Sequence, residues 1–360
     1  MLCRIHYGEG KMTKRDDINH ISLRRVSELA GVTQCTASRI LNKKPGYNYA
    51  DATIRRVFET ARECGYRTNQ LYRSVFTGKT KSAGLITAPG TFYSEISLGI
   101  HDRLLTDDFA ILLGLNCNDF DTPSASIEEK IITRLNAHRV DGFIIRPTLD
   151  DATDKHFQEI IDLELPLITI DREVVSNYAD HAGSDNVEGG RMAARYLSDL
   201  GHSNIVQFVI QQQCTTFRNR ALGFESELLE RGCLVQTATG ANLEEIKHKC
   251  RLIFSRPKRP TAIFCGNDTQ ALVIYTELEK LNLRIPDDVS IIGFGNEECG
   301  KLIKPGLTTI DQNPYLIGKS AAELFLQRIE EVCKPDRKRQ VCYIALKLVE
   351  RNSCQRAFPG

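Results

Sequence analysis

Gln34, Cys35, Ser38 and Arg39 fall within six consecutive residues. On a helix they share one outward face near its N-terminal end. An amide there can pair with an adenine edge, and a guanidinium with guanine or a phosphate. This is DNA-reading chemistry, and it needs a helix whose N-terminal end enters the major groove. The surrounding stretch, Val26 to Asn42, supplies one. Val26, Leu29 and Ala30 recur at helical spacing, Gly31 and Val32 break the pattern, and Ala37, Ile40 and Leu41 resume it. Two short helices joined by a glycine turn are the reading. Ser22 and Thr33 are placed to cap them, because a hydroxyl accepts a backbone N–H that the first turn leaves unpaired. A third helix spans about 51–64, with Ile54, Val57, Phe58 and Ala61 inward and Gly65 as its C-cap. Lys43 and Lys44, in the loop between, are placed to meet phosphates.

Catalytic patterns are missing. The sequence contains no GxGxxG, no GxSxG and no cysteine–histidine cluster with zinc spacing. Gly78, Lys79 and Thr80 imitate a phosphate-binding loop, but Arg73 stands where its first glycine is required. No enzyme activity, metal or cofactor is expected. The twelve cysteines are scattered, which suits free thiols in a reducing cytoplasm. No apolar run is long enough to span a membrane, and the first twenty residues lack the apolar core of a secretory signal. Met12 is an alternative start. The formal net charge of +1 conceals an asymmetry. Residues 1–81 carry a net +9 and the remainder a net −8. A basic module on an acidic body implies a polyanion partner at one end.

From Ala83 onward, apolar strands alternate with helical patterns, with strands expected at 84–87, 110–115, 142–145, 166–170, 204–210, 261–265 and 289–294. This is an α/β fold with buried parallel sheets, long enough for two layers. Ligands on such sheets bind beyond the carboxyl ends of strands. Those loops hold Phe92 and Tyr93, Asp171 and Arg172, Arg218 and Arg220, Asn267 and Asp268, and Gly295 and Asn296.

Ten segments in order carry a family likeness: ELAGVTQCTASRILN, ARECGYRTNQLYRSVFTGKT, RVDGFII, LPLITIDR, GGRMAARYLSDLGH, RNRALGF, RPTAIFCGND, RIPDDVSIIGFGN, PGLTTIDQ and LVERNS. With them the chain resembles the lactose-repressor (LacI) family of transcription regulators from about Ile21 to Ser353. The resemblance implies a tail over 1–20 and a three-helix helix-turn-helix domain over 21–67. A hinge helix and linker would follow over 68–81. A two-lobed, periplasmic-binding-protein-like effector and dimerisation domain with parallel sheets would fill 82–360. It also implies a homodimer on near-palindromic double-stranded operator DNA, with repression the expected sign, and no membrane partner. By position, Gln34 and Cys35 would read bases, with Thr33, Ser38, Arg39 and Asn42 supporting. In the hinge, Asn69 would contact DNA and Val75 would replace the leucine wedge of the minor groove. Tyr72 stands where alanine is usual, and Phe76 could assist the wedge.

For the effector, the resemblance places Arg220 and Asn267 on ligand hydroxyls. Phe92, Tyr93 and Asp171 lie on the expected loops, and Arg218, Asn296 and Gln312 complete the candidate set. Such groups suit a small polyhydroxylated molecule, a sugar or sugar derivative. Gly295 departs from the family's aspartate. A nucleobase, a sugar phosphate, control by a partner protein, or no effector are the alternatives. A solute-binding protein shares the two-lobed fold but would not carry the helix-turn-helix.

Overall fold

The computed structural model describes residues 22–42, 46–66, 79–116, 125–149, 152–210, 215–331 and 338–357. The chain divides into two compact units, Met1–Gly78 and Lys79–Gly360.

The first unit holds α1 (Leu23–Leu29), α2 (Gln34–Leu41) and α3 (Asp51–Glu63). Ser22 and Thr33 cap as expected, each hydroxyl accepting the backbone N–H three residues on. Gly31 makes the turn at φ 62°, a left-handed conformation that costs glycine little. The seam comprises Val26, Ala30, Ala37, Ile40, Val57 and Ala61, with Leu23, Tyr49 and Ile54 against it. Two expected core residues face solvent instead: Leu29 is 51% exposed and Phe58 39%. In α1 the buried stripe runs through Ser27, whose hydroxyl donates to the Arg24 carbonyl and so enters the core satisfied. A bundle this small has only a narrow inner face.

The second unit contains two six-stranded sheets. The first lobe uses β1 (Ser82–Thr87), β2 (Ala110–Leu115), β3 (Phe143–Ile145), β4 (Leu167–Ile170), β5 (Asp180–Ser184) and β11 (Val341–Ile344) in the order β11-β5-β4-β3-β1-β2. The second uses β6 (Asn204–Ile210), β7 (Leu234–Gly240), β8 (Ala262–Cys265), β9 (Ser290–Phe294), β10 (Thr308–Asp311) and β12 (Lys347–Val349) in the order β12-β10-β9-β8-β6-β7. Among the described residues all strand pairings are parallel except β10 with β12.

Helices cover both faces of each sheet. In the first lobe α4 (Thr91–Leu105) and α12 (Pro314–Glu330) pack on one face, and α5 (Ala125–Ala137) with α6 (Gln158–Asp162) on the other. In the second, α7 (Asn186–Asp199) and α8 (Thr215–Glu230) oppose α9 (Leu243–Phe254) and α10 (Asp268–Lys280), with α11 (Glu298–Leu302) beside α10. The seven expected strands are all present. β5, β7, β10, β11 and β12 were not anticipated; β5, β7, β10 and β12 lack an apolar run, whereas β11 reads VCYI and carried a signal that went unread. β5 reads DHAGS yet is wholly buried, because Asp180 takes two bonds from Arg328, at 2.6 and 2.9 Å, and His181 pairs with Thr169. Burial holds the His181 imidazole neutral, its pKa pushed down to about 4.

Among the described residues the chain passes between the lobes three times, from β5 to α7, from β10 to α12, and from β11 to β12. Two helix pairs beside these crossovers touch backbone to backbone. A Cβ at Gly318 of α12 would stand 1.9 Å from the Ile96 carbonyl oxygen of α4. One at Gly223 of α8 would stand 2.0 Å from that of Val187 in α7. Gly318→Ala is therefore expected to destabilise the second unit by about 1–3 kcal/mol, since packed backbone cannot yield cheaply. Chemical denaturation of both proteins measures this, and an unchanged midpoint would contradict the close approach.

Among the described residues no helix is long and apolar enough to cross a membrane, and no group of three or more His, Cys, Asp or Glu is placed to hold a metal ion.

Candidate functional site

In the first unit, Thr33, Gln34 and Cys35 are exposed at the start of α2, while Ser38, Arg39 and Asn42 are half-buried. Asn42 turns back along its own helix, its amide donating to the Ser38 carbonyl at 2.8 Å. Arg39 is not a free arm. Its guanidinium lies 4.0 Å above the Tyr47 ring, and the neighbouring Tyr49 side chain raises its pKa. Tyr47 and Tyr49 stack with centroids 6.5 Å apart. Stacking on Tyr47 limits the rotamers of the arginine while leaving it charged, so less entropy is lost when an acceptor engages it. Sequence reasoning missed both tyrosines, although their alternation in GYNY was a visible signal. Asn69 and Val75, with Lys43, Lys44, Tyr72 and Phe76, lie outside the described residues.

In the second unit, polar groups gather at the carboxyl ends of the parallel strands. Tyr93 stands in the first turn of α4, not in a loop, with Phe92 edge-on to it at 5.2 Å. Its hydroxyl donates to Asp171 at 2.9 Å and accepts from Arg146 Nε at 2.9 Å. The Arg146 and Asp171 charges stand 4.0 Å apart. Burial and the Asp171 carboxylate raise the Tyr93 pKa, so the phenol stays protonated and donates. Asp171 takes φ 61° in the turn after β4, a conformation its short polar side chain tolerates. Arg146 follows β3 directly, and that position was the signal by which the sequence could have revealed it. Nearby, Asn116 donates to the Thr148 hydroxyl and Arg172 to the Thr148 carbonyl. Thr87 Oγ1, Asn116 Oδ1 and Ser184 Oγ, at the ends of β1, β2 and β5, are buried with no hydrogen-bond partner among the described residues. A buried polar atom left unpaired costs roughly 1–3 kcal/mol, which a bound molecule or water would offset.

In the second lobe Arg220 is 5% exposed. Its Nε donates to Asn186 Oδ1 at 2.8 Å, and its two terminal nitrogens donate to the Gly266 carbonyl at 2.8 Å and Gln312 Oε1 at 3.0 Å. The guanidinium lies 3.9 Å from the Phe294 ring centroid. Asn186 was not anticipated from the sequence. The other candidates have different neighbours. Arg218 is exposed. Asn267 caps α10 by accepting the Gln270 N–H. Asn296 accepts from Arg351 and donates to Asp311.

Gly295 adopts φ 131°, which no other residue takes without strain, and a Cβ there would meet Glu297 and Asp268. Burial lifts the Asp268 pKa to about 6. An aspartate at 295 would add a third carboxylate beside these two.

Comparison with known proteins agrees with this fold. A periplasmic binding protein-like domain is matched over residues 194–354. The chain is 31% identical to the HTH-type transcriptional repressor PurR of Vibrio vulnificus, over 86% of this chain and 92% of that protein. It is 30% identical to PurR of Vibrio cholerae, over 92% and 97%. Among solved structures it resembles a lac repressor dimer bound to operator and the anti-inducer ONPF, with TM-score 0.78, 21% identity, and coverage of 93% and 99%. It also resembles a LacI-family regulator from Enterococcus faecium with bound ribose, with TM-score 0.65, 25% identity, and coverage of 77% and 100%.

Proposed function

The chain belongs to the LacI/PurR family of DNA-binding transcriptional regulators, and from that premise we propose that it is a repressor whose affinity for operator DNA is set by a small polyhydroxylated molecule held between the two lobes. Two copies read a near-palindromic operator through Gln34, Cys35 and Arg39, with Thr33, Ser38 and Asn42 shaping the helix that presents them. The effector meets Tyr93, Asp171 and Arg146 from one lobe and the Arg220 cluster from the other. A donor–acceptor mixture walled by Phe92, Phe294 and Tyr93 suits a ligand with several hydroxyls. The observation that carries this reading is the set of buried hydroxyl and amide oxygens at the carboxyl ends of β1, β2 and β5 that have no hydrogen-bond partner among the described residues. They are small neutral groups of the kind that bind hydroxyls. Solved relatives are described as holding ribose and cellobiose.

Occupation of the cleft changes DNA affinity only as far as the ligand prefers one lobe arrangement, and the coupling acts equally in both directions. Thermal unfolding of the full chain against D-ribose, cellobiose, sugar phosphates and nucleobases tests the reading. A true ligand at one hundred times its Kd adds about 2.7 kcal/mol. A midpoint shift with a sugar or sugar derivative is expected. A shift with a nucleobase alone would replace the polyhydroxylated ligand, and a silent panel would favour control by a partner protein.

A further inference from the structure

We propose that Arg220 is an interlobe clamp, fastening two of the three crossovers to one guanidinium so that they move together, with Asn186 and Gln312 as its positioning residues. Asn186 sits on the first crossover, where the chain leaves β5 for α7. Gln312 sits on the second, where it leaves β10 for α12. They are 126 positions apart in the chain, and neither bonds the other. Arg220 bonds both, at 2.8 and 3.0 Å, and is itself fixed by the Gly266 carbonyl and the Phe294 ring.

What the clamp joins is closely packed on each side. Gly190 and Gly223 bring α7 and α8 into backbone contact, so Asn186 and Arg220 ride on one unit of the second lobe. Gly99 and Gly318 do the same for α4 and α12, so Gln312 leads into the unit that carries Tyr93 in the first lobe. Between these two bodies, the bond from Arg220 to Gln312 is a polar side-chain link. It is charge-assisted and buried, where such bonds are strongest. The clamp goes beyond the effector reading and rests on it in one respect only. A ligand that takes the Arg220 Nη2 proton now donated to Gln312 releases Gln312, and with it the second crossover.

Amide hydrogen exchange on the full chain, without any ligand, tests the clamp. Gln312→Met keeps the length of the side chain and removes the acceptor. Gln312→Glu keeps an acceptor for Arg220. In Gln312→Met, exchange is expected to quicken about tenfold around residues 311–316 and also around 184–190, which Gln312 does not touch, the factor being that of one lost bond to a charged group. Gln312→Glu is expected to keep slow exchange at both. Unchanged exchange around 184–190 in Gln312→Met would overturn the clamp. So would equal loosening by the glutamate variant, or acceleration spread evenly over the second lobe, which would mark a packing role alone. Because no ligand is used, failure here leaves the effector reading standing, and a silent ligand panel leaves the clamp standing.

Discussion

Arg39→Ala is expected to weaken binding to the chain's own promoter DNA by about 1–3 kcal/mol, roughly ten- to a hundredfold, and to narrow the ratio between operator and random DNA. The loss has two sources. One is the contact itself, which a methyl cannot make. The other is pre-positioning, because the Tyr47 ring holds the guanidinium in place before any DNA is bound. Tyr47→Ala separates them. It should cost less than Arg39→Ala while leaving the salt dependence nearly unchanged, since the charge remains. Gel-shift titrations at several salt concentrations, with operator and scrambled duplexes, give both quantities. An affinity ratio for Arg39→Ala equal to that of the parent would remove Arg39 from base reading. If only the salt slope falls, by about one, Arg39 is a phosphate contact.

Arg220→Ala should abolish effector binding, and it should also destabilise the second unit by several kcal/mol, on the order of 1–3 for each buried acceptor left unpaired. Those acceptors are Asn186 Oδ1, the Gly266 carbonyl and Gln312 Oε1. Lost ligand binding in the alanine variant alone would therefore not distinguish a contact from a collapsed cleft. Arg220→Lys retains the charge and can satisfy one acceptor but not the fork, because an ammonium cannot reproduce the planar donor set. It should fold with a smaller loss of stability and still bind the effector poorly. Calorimetric titration alongside denaturant unfolding reads both effects. Parent-like effector affinity in Arg220→Lys would exclude the guanidinium from the ligand site.

Local chemistry makes the helix-turn-helix legible in the sequence itself. Ser22, Thr33, Gly31 and Gly65 each act within four residues of the backbone they cap or turn, so their spacing in the chain is their spacing in space. The apolar parallel strands are legible for a similar reason, since an apolar run suits burial on both faces of a sheet. The tertiary structure decided what pairs at long range. The Tyr93–Asp171 bond spans 78 residues and the Arg220–Gln312 bond 92. No local pattern encodes a contact that exists only because two strand ends come together. The same holds for β5, a strand of polar residues made burial-competent by Arg328, 148 residues from Asp180. It holds too for Leu29 and Phe58, apolar residues that a narrow bundle had no room to cover. Sequence periodicity determined the helix-turn-helix and the seven apolar strands. Only packing determined which side chains meet, because hydrogen bonds and ion pairs require positions in space that the covalent order leaves open.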